Sequence, residues 1–362
     1  MMVSDRDAST VGRARIASAH RVHFSDQLSE RLMLHVDPGS HSEAIPIVES
    51  DEGRPGARAA SSLDGFSATG GTAVIICTRG RPDIVRALVS RLAEQTMPPE
   101  HVFIIAAIAD DIAGLNRNQA NLTVRIGRTG LTLQRNDGLA LAGSRFGSIV
   151  FFDDDFVPSR FWLERMAEIF ASRPDIAGLT GIVMADGTTT PGVPLNDAET
   201  MVGRRDANPD KSGVTYERFA YGSNVGCNMA YRYSAMRGIA FDERLPLYAW
   251  HEDSDFRAQV ERRGLFGRAE ALWGVHLGHK PGRVSGVRLG YSQVANPVYL
   301  ARKGTVPKGH LLKTASRNLL ANALHSFRPE PFVDRRGRLR GNLTAVADLL
   351  RGRIAPERVL EL

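Results

Sequence analysis

The chain has 362 residues, 43% hydrophobic and 24% charged, a balance that fits a folded globular protein and excludes a disordered or fibrous one. No run of about 18 apolar residues occurs, which excludes an apolar membrane-spanning helix, and the N-terminal stretch lacks the apolar core of a secretory leader. Cys77 and Cys227 stand far apart in apolar segments and read as reduced, buried thiols, so a cytoplasmic location is expected.

The net charge of +6 is unevenly spread. From Arg302 onward 13 Lys/Arg face 5 Asp/Glu, a net +8, which leaves −2 for residues 1–301. A basic C-terminal region of this kind suits either a solvated helical face or a peripheral contact with an anionic membrane surface or nucleic acid.

Residues 1–71 lack sustained periodicity and end in a Gly/Ser/Ala/Pro-rich run, so an irregular arm and linker is expected there, with one short element near 24–36. From residue 72 apolar runs alternate with amphipathic stretches. Strands are expected over 73–77, 102–107, 122–126 and 149–152, with helices over 84–95 and 131–146 between them. Ser159 is positioned to cap a helix reaching about 171, and 176–184 reads as a further strand. The stretch 185–213, rich in Gly, Pro, Thr, Asn and Asp, reads as a long loop. A strand over 224–233, a helix over 252–263 and a strand over 269–277 follow, then helices near 287–301, 311–327 and 343–351. Such alternation predicts an α/β fold with a mostly parallel sheet and helices on both faces.

Three clusters could carry chemistry. In S-I-V-F-F-D-D-D-F-V-P (148–158) an apolar run reads as a buried strand ending in Asp153, Asp154 and Asp155. The C-terminal ends of parallel strands are where ligands bind, and three adjacent carboxylates repel unless a hard divalent cation joins them. One Asp would suffice to cap a turn; three favour a metal and phosphate site. In W-H-E-D-S-D-F-R (250–257) Glu252, Asp253 and Asp255 fall in the first turn of a helix, where acids either stabilise the helix dipole or supply a general base, and residue types alone leave both open. In W-G-V-H-L-G-H-K (273–280) His276 and His279 are each more often structural, but beside an acid cluster His276 becomes a third cation ligand.

Two enzyme classes fit the acid strand: nucleotide-sugar transfer, and a haloacid-dehalogenase-like phosphohydrolase in which Asp153, Asp155 and Val157 match D-x-D-x-[TV] with Asp153 as nucleophile. The second is weakened because about 75 residues of strands and helices precede Asp153 and no G-D-x-x-x-D follows it. A non-catalytic nucleic-acid binder would rest on the basic tail, which has few aromatics for stacking bases.

Five stretches in order resemble the inverting family 2 glycosyltransferases: T-A-V-I-I-C-T-R-G-R-P (72–82), Q-R-N-D-G-L-A-L-A (134–142), F-F-D-D-D (151–155), G-C-N-M-A-Y (226–231) and H-E-D-S-D-F-R (251–257). The resemblance implies a glycosyltransferase A-type fold, a three-layer αβα sandwich over 72–285 with a helical extension over 286–362. It also implies roles. Thr78, Arg79 and Arg81 would line the nucleotide pocket, joined by Asp110 or Asp111, Arg135, Asp153 and Asp154. Asp153, Asp155 and His276, with His279 qualifying equally as the family's final histidine, would hold Mn2+ or Mg2+, and Asp253 would be the general base beside Glu252. The donor would be a nucleotide-diphosphate sugar, with uridine favoured, and the acceptor a saccharide or lipid-linked glycan of the cell envelope, reached from the cytoplasmic face of the membrane.

Overall fold

The computed structural model describes residues 70–209, 216–217 and 226–362. All but the last two residues of the expected arm over 1–71, including its element near 24–36, lie outside the described residues. The strands are β1 (Thr72–Thr78), β2 (His101–Ala106), β3 (Leu122–Ile126), β4 (Ser148–Asp153), β5 (Phe156–Pro158), β6 (Ile176–Asp186), β7 (Tyr216–Glu217), β8 (Asn228–Arg232) and β9 (Leu265–His276). The helices are α1 (Pro82–Ala93), α2 (Leu131–Ala142), α3 (Trp162–Ser172), α4 (Leu195–Ala207), the single turn α5 (Tyr233–Met236), α6 (Glu252–Val260), α7 (Gly286–Lys303), α8 (Lys308–His325) and α9 (Arg335–Leu350).

The described strands form one sheet in the order β3-β2-β1-β4-β8-β6-β9-β5, with β7 on β9. Strands β1 to β4 run parallel; β8 is antiparallel to both β4 and β6, and β6 is parallel to β9. The mostly parallel sheet expected from the alternating pattern is therefore present, interrupted by β8 and edged by the antiparallel β5 and β7. Alternation along β1 sets the layers. Val74 and Ile76 pack with Val85, Leu88 and Leu92 of α1 and Trp162 and Met166 of α3, whereas Ala73 and Ile75 pack with Ala142, Phe241 and Phe256 on the opposite face. This is the three-layer αβα sandwich expected above, followed by a helical C-terminal region.

Several expectations need correcting. The long loop over 185–213 contains α4, a helix whose Ala198 and Val202 bury against Trp273 and Val275. Its other face is so polar that tertiary packing, rather than sequence periodicity, identifies it. Asp206 in its last turn accepts hydrogen bonds from Ser159 Oγ (2.7 Å), Trp273 Nε1 (2.9 Å) and the Arg160 N–H (3.0 Å). Ser159 is not the cap of α3, which begins at Trp162, although its hydroxyl does accept from the Phe161 N–H at 3.1 Å. The last helix starts at Arg335, eight residues before the expected 343, capped by Asp334 accepting from the Gly337 N–H. Gly341 and Gly290 obscure its pattern but let α9 press on α7, since a Cβ at Gly341 would strike the Val287 carbonyl and one at Gly290 that of Arg338.

Because Asp206 satisfies three donors at once, Asp206→Ala leaves the buried Trp273 N–H and the Ser159 hydroxyl without their acceptor. Urea unfolding should show a loss of about 2–4 kcal/mol; an unchanged midpoint would mean that α4 is not held this way.

Candidate active site

The three carboxylates at the end of β4 have three different surroundings. Asp154 is buried, and both its oxygens are taken: Thr78 Oγ1 donates to one at 2.7 Å and the Arg81 guanidinium to the other at 2.6 Å. Arg81 also lies 3.3 Å from Asp155 and donates to the carbonyls of His279 (2.9 Å) and Pro281 (2.9 Å), so it pins the loop after β1 to the loop after β9. These loops touch so closely that a Cβ at Gly282, whose φ is +78°, would strike the Arg79 carbonyl. Arg79 itself is exposed.

Asp153, Asp155 and His276 each offer a ligand atom, and these atoms lie within 4.8 Å of one another. Antiparallel pairing of β5 with β9 sets His276 opposite Phe156, next to the acid turn. His276 Nε2 is 3.2 Å from Asp155 and Nδ1 is 3.2 Å from Asp186 at the end of β6. Of the two candidate histidines, His276 enters the cluster, while His279 contributes its backbone N–H to Asp155 at 2.8 Å. Sequence reasoning missed Asp186; its one signal is that it ends the apolar run of β6.

Burial pushes the Asp154 carboxyl up to about 6, the pull of Arg81 notwithstanding. Asp153 is also raised, by withdrawal from water that Arg135 only partly offsets. For Asp155 burial acts the same way, but His276, Arg81 and the His279 N–H overcome it and hold its carboxyl well below the usual range. Burial disfavours charge on His276, yet the carboxylates of Asp155 and Asp186 outweigh it and its pKa lies well above the ordinary value.

Behind the acid turn lies Arg135 of α2, only 2% exposed. Its guanidinium donates to Glu252 at 2.5 Å, to Asp153 at 3.1 Å and to the Gly226 carbonyl at 3.0 Å, and it faces the rings of Phe241 and Phe151. The neighbouring Gln134 donates to the carbonyls of Thr78 and Ile105. Thus α2 ties the ends of β1, β2 and β4 to the start of α6.

The acids of α6 then separate. Glu252 is buried against Arg135, and burial raises its pKa well above the ordinary value. Asp255, fully buried, accepts from Lys303 (2.7 Å) and Thr305. Asp253 accepts only from the N–H and hydroxyl of its neighbour Ser254 and has no ion-pair partner among the described residues. It is half-buried and borders Gly226, the residue whose carbonyl binds Arg135. The approach to α6 is strained, with Leu247, Ala249 and His251 all at positive φ (59°, 56° and 73°) without being glycine. Packing holds this segment: the Leu131 N–H donates to the Leu247 carbonyl, and buried Asn296 of α7 donates to that of Trp250.

After β2, Asp111 is buried and accepts from the N–H groups of Gly80 (2.6 Å), Ala107 (2.9 Å) and Ile108 (2.9 Å), whereas Asp110 is exposed. Asp111 therefore shapes the loop after β1.

Residues 73–239, from β1 to just beyond α5, match the family described as Glycosyl transferase family 2. Over that segment the chain is similar to the family 2 glycosyltransferases. The match stops before Asp253 and His276. The chain has no significant match among curated proteins. Among solved structures it is similar to the mannosyltransferase PcManGT from Pyrobaculum calidifontis in complex with GDP-Man and Mn2+, at 15% identity, with 81% of this chain and 92% of that chain covered and a TM-score of 0.44.

Arg135→Met should leave the Glu252 carboxylate buried and unpaired, costing about 3–5 kcal/mol of stability. Adding Glu252→Gln should recover part of that loss in a double-mutant cycle read by thermal unfolding, and strictly additive losses would show that the pair is not coupled.

Proposed function

We propose that the protein is an inverting glycosyltransferase that moves a sugar from a nucleoside-diphosphate donor, uridine the first candidate base, to a hydroxyl of a saccharide or lipid-linked acceptor in envelope glycan synthesis. The observation that carries the reading is that cations sort the acids of both clusters. Asp154 and Glu252 are neutralised by arginines and Asp255 by Lys303. Asp153 and Asp155, although also near Arg135 and Arg81, converge with His276 on one side, and Asp253 has no ion pair among the described residues on the other. The phosphohydrolase alternative is not favoured, since the family match is to glycosyltransferases.

In this reading Asp153, Asp155 and His276 hold a divalent cation, Mn2+ or Mg2+. Two carboxylates with one imidazole suit such an ion, and Asp186 at 3.2 Å from the far ring nitrogen orients the imidazole. When bound, the ion neutralises charge developing on the departing diphosphate. Arg79 and Asp110 face the nucleotide; Thr78, buried on Asp154, joins Arg81, Asp111, Arg135 and Asp154 in shaping that pocket by fixing its loops. Asp253 accepts the proton of the acceptor hydroxyl as its oxygen attacks the anomeric carbon opposite the leaving group, and the configuration inverts. Glu252, locked to Arg135, keeps the start of α6 in register with Asp153.

Asp253→Asn should lower kcat by about 10²–10⁴-fold while donor binding, measured by calorimetry with Mn2+, stays within a factor of about two. Turnover near the wild-type rate would remove Asp253 from the chemistry. Asp155→Ala should weaken binding of a nucleoside diphosphate in Mn2+ and leave metal-free binding little changed; equal losses in both would contradict a ligand role.

A further inference from the structure

Helices α8 and α9 carry a surface that the catalytic reading does not use. On α8, Leu312, Leu320 and Leu324 fall on one stripe by their spacing of eight and four, and they are 70%, 60% and 61% exposed. Phe327, just past the end of the helix, is 82% exposed. It lines a groove of about 680 Å³ together with Leu339, Leu343 and Ala347 of α9, and Arg336 and Arg340 belong to the same lining. A cluster of large apolar side chains in water is uncommon unless something covers it.

Within the stretches of α8 and α9 that bear this surface, the charged residues have one sign. No Asp or Glu occurs between Glu270 and Glu330, or between Asp334 and Asp348, while Lys313, Arg317, Arg328, Arg336 and Arg340 fall inside those stretches. Glu330 is taken by Arg335 at 2.8 Å. A second copy of the chain docking symmetrically would set like charges against each other. Nucleic acid would make no use of aliphatic leucines. An anionic bilayer uses both features, because arginines and lysines reach headgroup phosphates while leucine and phenylalanine side chains enter the acyl boundary.

We infer that the α8–α9 face docks the protein onto an anionic phospholipid membrane, with Phe327, Leu320, Leu324 and Leu343 as the inserted side chains and Arg336 and Arg340 as headgroup contacts. No described helix is long and apolar enough to cross a membrane, so the contact is peripheral. This inference stands apart from the catalytic reading and is tested without turnover.

The test is co-sedimentation of the full chain with vesicles of phosphatidylcholine alone or with about 30% phosphatidylglycerol, at low and high salt. The expected result is at least roughly tenfold tighter binding to the anionic vesicles, weakened by salt. Phe327→Ser with Leu343→Ser, and separately Arg336→Glu with Arg340→Glu, should each lower that binding about tenfold without changing the melting temperature, because these side chains are exposed. Phe327→Trp should show a blue-shifted emission on anionic vesicles and quenching by brominated acyl chains. Absence of binding by the folded wild type, equal binding to neutral vesicles, or binding indifferent to Phe327→Ser with Leu343→Ser would overturn the inference. So would sedimentation velocity showing a dimer that those two substitutions disperse, which would assign the face to a second copy.

Discussion

The guanidinium of Arg135 sits almost wholly out of water between two carboxylates, one at the end of β4 and one at the start of α6. A buried charge is tolerated only when it is paired and its donors are satisfied, and here Asp153, Glu252 and the Gly226 carbonyl do so together. The geometry of the pair is consequently the geometry of the site. A shift of α6 away from α2 would break the ion pair, so Asp253 is held at a fixed place relative to Asp153 although the two are a hundred residues apart.

Arg81 acts similarly on the other flank. By binding Asp154 and the carbonyls of His279 and Pro281, it closes the loop after β1 onto the segment that bears His276. The helical C-terminal region contributes from behind: Lys303 neutralises Asp255 and Asn296 holds the strained turn before α6. Three non-glycine residues at positive φ are unfavourable by about 1–2 kcal/mol each, and they persist because α2 and α7 hold the carbonyls of Leu247 and Trp250 in place. The α7–α9 region is thus part of the support for the site as well as the bearer of the basic surface.

The core of the fold was legible because the signals were local. The apolar runs of β1, β2 and β4 fall where periodicity puts them, and the three-acid turn cannot be read as ordinary capping. What was illegible depended on tertiary contacts. The helix α4 is too polar on its outer face to stand out, and the glycines that break the pattern of α9 are the points where it meets α7. For the site, residue types brought Asp153, Asp155, His276 and Asp253 forward. They could not separate Asp253 from Glu252 and Asp255, because that separation is made by Arg135 and Lys303 from distant helices. Nor could they find Asp186, one acid among many until β6 sets it against His276.

The central claim is a site in two halves, a cation-holding half at β4 and β9 and a proton-accepting half at α6. Its most direct test is anomalous diffraction at the manganese edge from crystals soaked with Mn2+ and a nucleoside diphosphate. The account predicts one strong peak bonded to carboxylate oxygens of Asp153 and Asp155 and to His276 Nε2, with the diphosphate on its open side and Asp253 outside its coordination sphere. A peak bonded to Asp253, or ordered diphosphate with no metal at the end of β4, would contradict it.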